Sequence, residues 1–186
     1  MINKEKIIDE YRNTVGTDSV KARNLIKKLD YKEDYYLLQC IAQTYLDECR
    51  FEDDNTMREQ IDKRKWRMAE RYIIKAFIIN PDNADVLYTM AGVRIASQQF
   101  SIAIFCFECI IESGVRKIAY GEYGRGLHYA RELVNDSKFE LYRLHFDENP
   151  KLSAKYLAAY KDGLKKGIKT IYKPIQQFLL VKRRLV

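Results

Sequence analysis

Trp66, Ala69, Ile73, Ala76 and Phe77 recur thirty-four positions later as Phe100, Ala103, Phe107, Ile110 and Ile111, each match keeping size or apolarity. A fixed period between about 20 and 50 residues constrains a fold before any local reading. Each repeat is a unit that buries its apolar side only against its neighbours. Within each set the steps of 3, 4, 3 and 1 follow one face of an α-helix. The small Ala69 and Ala103 stand where a neighbouring helix can approach closely.

A second pattern precedes the first. Leu38, Ile41, Ala42 and Tyr45 recur as Leu87, Met90, Ala91 and Arg94, again at helical spacing, so each such stretch is the first helix of a pair. Between the pairs lies Asn80-Pro81-Asp82-Asn83, where proline disfavours helix in the residue before it and Asn83 can cap the helix that follows. Leu38 to Leu87 is 49 residues, about 15 more than the period, and the excess falls at Cys49–Asp62, an acidic and weakly periodic stretch that reads as an inserted loop. Lys4–Thr14 and Ser19–Leu29 read as a degenerate N-terminal pair broken at Gly16-Thr17-Asp18. Downstream, Lys117–Leu133 reads as a first helix with Ser137–Phe146 as its partner, ended by Asn149-Pro150, and residues 151–168 and 172–184 read as a final pair interrupted near Pro174.

The order L-x-x-[LIM]-A-x-x-Y, an aromatic, A-x-x-x-[FI] and then Pro resembles the tetratricopeptide repeat, most closely over residues 66–113. The resemblance implies an all-α fold, a right-handed solenoid of about 9–10 helices in antiparallel pairs. It organises residues 1–186 as one domain: a degenerate pair at 1–30, a repeat at 34–81 with its insertion near 49–62, the best-matched repeat at 83–113, a divergent one at 116–149, and basic capping helices at 150–186. It also implies a function, because the first helices of such repeats line a concave groove that holds an extended peptide or a partner helix. The residues expected to face it are Tyr36, Gln39 and Gln43, then Asp85, Tyr88 and Gly92, then Glu122, Gly126 and Tyr129. Tyrosines offer flat amphipathic surface at small entropic cost, and glycines admit a ligand backbone. The competing reading makes half of the tyrosines core contacts and gives Gly92 and Gly126 to helix packing.

One subset of that family clamps a C-terminal carboxylate with Lys, Asn and Arg. The matching positions here are Gln39, Gln43, Thr89, Ala119 and Tyr123, which lack the positive charge such a clamp requires. Nor does the chain display reactive chemistry. Cys106 and Cys109 have redox or zinc spacing but lie in a helical pattern with no second ligand pair. His128 and His145 accompany no nucleophile motif, and Gly121, Gly124 and Gly126 follow no strand and lack the lysine of a phosphate loop. The expectation is a non-enzyme with no metal and no cofactor.

Composition narrows the remaining classes. With 47% hydrophobic and 32% charged residues, eight glycines and three prolines, the chain is neither collagenous nor low-complexity. The four cysteines sit in apolar helical patterns and read as reduced thiols, no signal peptide opens the chain, and no apolar run approaches the roughly 18 residues of a membrane span. The cytoplasm is the expected location. The net charge of +7 is unevenly placed: residues 31–62 hold nine acidic against three basic side chains, and residues 151–186 hold ten basic against one acidic. Lys165, Lys166, Lys169, Lys173, Lys182, Arg183 and Arg184 are therefore candidates for an anionic partner, with nucleic acid as the alternative ligand class. A lysine-rich face is also what a solvated cap looks like. The reading that results is a protein-binding module, acting as an adaptor, a regulator or a neutralising partner such as an immunity protein that blocks a toxin.

Overall fold

The computed structural model describes residues 3–53 and 58–172, with side chains except at 50–60. Eight helices run through the described residues: α1 Lys4–Thr14, α2 Ser19–Ile26, α3 Tyr35–Cys49, α4 Lys63–Ile79, α5 Ala84–Ala96, α6 Phe100–Tyr120, α7 Gly126–Leu144 and α8 Pro150–Lys165. The architecture is all-α apart from one hairpin, β1 Arg50–Asp53 and β2 Arg58–Ile61. The chain forms two compact units, Met1–Ile110 and Ile111–Val186.

In the first unit α3 is central. It packs against α2, α4 and α5, while α1 packs on α2 and α4 on α5. Its run from Tyr35 to Ala42 is entirely buried, so every face of this helix meets protein and its sequence is apolar nearly all round. Six of the ten repeating positions are core, while Phe100 is exposed and Trp66, Phe77 and Ile111 are half-buried. Ala69, Ile73 and Ala76 on α4 and Ala103, Phe107 and Ile110 on α6 are all at most 1% exposed. Trp66 ties α4 to α5 by donating its indole N–H to the Val93 carbonyl at 3.1 Å.

The helix starts follow from local chemistry. Asn83 accepts from the backbone N–H groups of Asp85 and Val86, and Asn149 accepts from that of Leu152 with Pro150 at the first helical position. These bonds satisfy donors that a helix end leaves orphaned. Asp34 does the same for α3, accepting from the N–H groups of Tyr36 and Leu37 while Lys4 pairs with its carboxylate at 2.8 Å.

The expected loop at Cys49–Asp62 is in fact a hairpin. β1 and β2 pair antiparallel in the register Arg50 with Ile61, Phe51 with Gln60, Glu52 with Glu59 and Asp53 with Arg58. Its base is closed by the Asp62 N–H donating to the Cys49 carbonyl at 2.8 Å. Asp62 then caps α4, accepting from Arg64 and Lys65. Because the inserted chain leaves and returns at one point, α3 and α4 still pack as neighbours.

The second unit corrects one helix boundary and keeps another, the break after residue 113. Gly114 breaks α6 with φ 75° and ψ 157°, a conformation open to glycine. The next break lies at residues 121–125 and not at 134–136. There the Gly124 N–H donates to the Gly121 carbonyl at 2.8 Å, Tyr123 takes φ 60°, and a Cβ on Gly124 would strike the Ala119 carbonyl. α7 therefore runs unbroken through Asn135-Asp136-Ser137. These residues suggest a cap because their side chains compete for backbone bonds, yet here all three are buried inside the helix. Ser137 bonds back to the Leu133 carbonyl, and Asn135 donates to the Tyr160 carbonyl of α8. α7 and α8 enclose a cluster of Phe139, Tyr142 and Tyr160, joined by Tyr172 whose ring lies 4.5 Å from that of Phe139. The pair expected at 151–168 and 172–184 is represented by α8, and residues 173–184 lie outside the described residues.

Asp136 fastens the segment after α8. Thr170 donates its hydroxyl to Asp136 Oδ1 at 2.6 Å, the Ile171 N–H donates to Oδ2 at 3.3 Å, and Tyr160 donates to the Thr170 hydroxyl at 3.0 Å. Burial raises the Asp136 carboxyl to about 6, against the pull of those two bonds and with the charges of Glu132 and Glu140 on the same helix adding to the rise. The native state thus holds a proton that the unfolded chain releases near the ordinary carboxyl value of 3.8. Its contribution to stability is complete below that value and is lost as pH rises through about 6. We expect the difference in unfolding free energy between the wild type and Asp136→Asn to change over this interval and to be flat above about pH 7. Chemical denaturation at a series of pH values measures it, and a difference independent of pH would refute the assignment.

Candidate functional site

The first-unit residues expected to face a groove come together on α3 and α5, and α1 joins them. Arg12 of α1 donates to the Tyr36 hydroxyl at 3.2 Å, and the Tyr11 hydroxyl donates to the Cys40 carbonyl at 3.2 Å. Between α3 and α5, Gln39 donates its amide to the Thr89 hydroxyl at 2.8 Å, Thr89 donates to Gln43 Oε1 at 3.0 Å, and Gln43 donates to Asp47 at 2.6 Å. The result is a polar track in two parts that start one turn apart on α3, one from Tyr36 to Arg12 of α1 and the other from Gln39 through Thr89 of α5 and Gln43 to the exposed Asp47. Buried polar networks of this kind fix one arrangement when their members are satisfied, and penalise alternatives that leave a member unpaired.

Access differs sharply along the track. Tyr36 and Gln39 are 3% and 8% exposed, so they form its floor and offer a ligand little area. Gln43, Asp85 and Tyr88 are half-buried and Asp47 is exposed. Tyr88 leans edge-on against Phe107 of α6 with ring centroids 5.5 Å apart, which gives it a share in the core. Gly92 serves packing: a Cβ there would stand 2.7 Å from Leu46 Cδ2, so its absence lets α5 close on α3.

The electrostatics of the floor are those of buried neutral groups. Burial raises Tyr36, with the nearby Arg12 opposing, and raises Tyr11 well above the ordinary phenol value. Cys40 is pushed up to about 12 by burial, opposed by hydrogen bonds with Tyr11 and Tyr36. That keeps it a thiol at neutral pH, and the reactive form of cysteine is the thiolate. Cys106 is likewise raised to about 11 by burial and then by Cys109. None of the four cysteines is in a disulfide, and no group of three or more His, Cys, Asp or Glu able to hold a metal ion occurs among the described residues.

Glu122, Gly126 and Tyr129 belong to the second unit. Glu122 is exposed in the turn before α7 and not on a helix, and Gly126 opens α7 with φ 82°. Tyr129 lies in the first turn of α7 beneath the Arg125 guanidinium, 3.8 Å from its ring centroid, a cation–π contact. Among the basic candidates Lys165, Lys166 and Lys169 are exposed, and Lys166 pairs with Asp162 at 2.6 Å. That bond and the charge of Lys166 hold the Asp162 carboxyl below its ordinary value. Lys173, Lys182, Arg183 and Arg184 lie outside the described residues.

Spacing alone missed Arg12, Asp47 and Thr89 as members of the track. Asp47 was accessible to it, since it stands one helical turn after Gln43. Arg12 was not, because its place beside Tyr36 depends on how α1 docks. No helix among the described residues is long and apolar enough to cross a membrane. No protein-family model matches the chain, and neither a curated protein nor a solved structure matches it.

Proposed function

We propose that the chain is a tetratricopeptide-like solenoid that binds a protein or peptide partner noncovalently, along the face built from α1, α3 and α5. The observation that carries this reading is the pair of polar links, Arg12 to Tyr36 and Gln39 through Thr89 and Gln43 to Asp47, which start one turn apart on α3 at Tyr36 and Gln39 and reach the alternate helices α1 and α5. Alternate helices sharing one face are what a helical-repeat groove requires. Half-buried amides and tyrosines are suited to a peptide backbone, because they supply hydrogen bonds and flat area from positions that folding has already fixed. The roles open to such a module are scaffold, regulator and neutralising partner, and its action is occupation of a surface with no bond made or broken.

Gln43→Ala and Asp85→Ala remove groups from the accessible edge of this face, and both are expected to abolish capture of the natural partner from the source cell. Asp85→Ala, at a half-buried position, should move the thermal midpoint by no more than about 3 °C, whereas Gln43→Ala also takes the acceptor from the buried Thr89 hydroxyl and should lower it further. Tyr88→Ala is the poorer probe, since it also strips a ring from Phe107. Co-purification followed by mass spectrometry reads the result. A partner that both variants retain would place the binding surface elsewhere.

A further inference from the structure

Every exposed residue of α4 is either basic or isoleucine, five of the first kind and three of the second. Successive residues of an α-helix turn by about 100°, so Arg64, Arg67, Arg71, Ile74, Lys75 and Ile78 fall within about 100° of arc. They form one stripe along the outer side of the helix, opposite the buried Ala69, Ile73 and Ala76.

The charge of the stripe has one sign. α4 has one acidic residue, Glu70, and its carboxylate accepts from Arg94 of α5 at 2.7 Å. Of its six basic residues, Lys65 pairs with Glu48 of α3 at 3.3 Å, and the other five are exposed and enter no ion pair among the described residues. Asp62, just before the helix, is occupied in capping it. Helix stability does not explain the cations either. Lys63, Arg64 and Lys65 fill a first turn that holds no acidic residue, where the helix dipole disfavours positive charge. Ile78 is 75% exposed, so the core gains little from it. A lone isoleucine in solvent needs no explanation, whereas isoleucines interleaved with unpaired cations along one stripe mark an interaction surface.

We propose that the outer side of α4 docks on an anionic membrane surface, with the helix axis in the plane of the headgroups. Arg67, Arg71 and Lys75 meet the phosphate and carboxylate groups of acidic lipids, while Ile74 and Ile78 enter the acyl boundary beneath them. Charge complementarity selects an anionic partner, and the isoleucines select among anionic partners. A nucleic-acid strand would satisfy the cations and leave the isoleucines in water. An acidic peptide helix is held in a groove, whereas the back of one helix is a ridge, which a plane can meet along its length. The contact is peripheral and needs no spanning helix, and it does not depend on the partner-binding face of α1, α3 and α5.

Co-sedimentation of the full chain with lipid vesicles tests it. The wild type should bind vesicles of phosphatidylcholine and phosphatidylserine in about equal parts and ignore vesicles of phosphatidylcholine alone. Each cation near such a surface contributes about fivefold in affinity, so Arg67→Gln with Arg71→Gln and Lys75→Gln should weaken binding about a hundredfold. Ile78→Ser keeps every charge and should still weaken it about tenfold, through lost apolar insertion. Both variants should keep the helical circular dichroism of the wild type, because the replaced side chains are exposed. A wild type that ignores the acidic vesicles would overturn the proposal. So would a triple variant that binds them as the wild type does, since the contact would then lie in the basic C-terminal segment. Full affinity in Ile78→Ser would overturn it as well, because a surface that reads charge alone is a nucleic-acid surface.

Discussion

Glu48→Ala should destabilise the first unit by about 3–5 kcal/mol, the cost of leaving a buried charge without its partner. Arg23 of α2 is 8% exposed. Its guanidinium donates to Glu48 Oε1 at 2.6 Å, reaches the Thr44 hydroxyl at 3.4 Å and lies 4.0 Å from the centroid of Tyr45, whose ring stacks on Tyr72. Lys65 of α4 approaches the other carboxylate oxygen at 3.3 Å. One carboxylate thus ties α2 and α4 to α3. Replacing both partners, as Arg23→Met with Glu48→Met, should cost no more than about 1 kcal/mol, because apolar groups of similar volume need no counter-charge. Urea denaturation compares the two. A single substitution as mild as the double would mean that water reaches Arg23.

Gly163→Ala should lower the stability of the second unit by about 2 kcal/mol. In an ordinary helix the change would gain about 1 kcal/mol from propensity. Here a Cβ would be driven into the carboxamide of Asn135, which is fully buried and already donates to the Tyr160 carbonyl at 3.3 Å. Overpacking of that kind costs about 3 kcal/mol, so the collision outweighs the propensity. Asn135 Oδ1 has no hydrogen-bond partner, which means that little is lost with the side chain. Asn135→Ala combined with Gly163→Ala should therefore be more stable than Gly163→Ala alone, as thermal unfolding can show. Equal stability of the two would mean that α8 slides to make room.

What the sequence makes legible is what sequence neighbours decide. α1 spans Lys4–Thr14 as its pattern predicts, the turn at Asn80–Asn83 and the Asn149-Pro150 start are set by capping, and the 34-residue repeat marks core positions on α4 and α6. What stays illegible depends on partners far along the chain. Asp136 sits within α7 because Thr170, 34 residues on, receives its side chain. Residues 121–125 read as helix because two glycines are tolerated by a periodic pattern, and only the approach of Gly124 to the Ala119 carbonyl makes them a turn. The hairpin has too few residues for an alternation to stand out, and its pairing is set across a gap no period measures. The same division runs through the candidate site. Spacing placed Tyr36 and Gln39 together on one face of α3, but their burial follows from how the other helices pack around it.

The hairpin between α3 and α4 begins and ends at one closed hydrogen bond, from Asp62 to Cys49. Length added or removed there changes neither the direction nor the spacing of the two rods that carry it. Drift in the appendage is thereby uncoupled from upkeep of the frame, and whatever it touches can alter in the course of descent without a repacking of the interior.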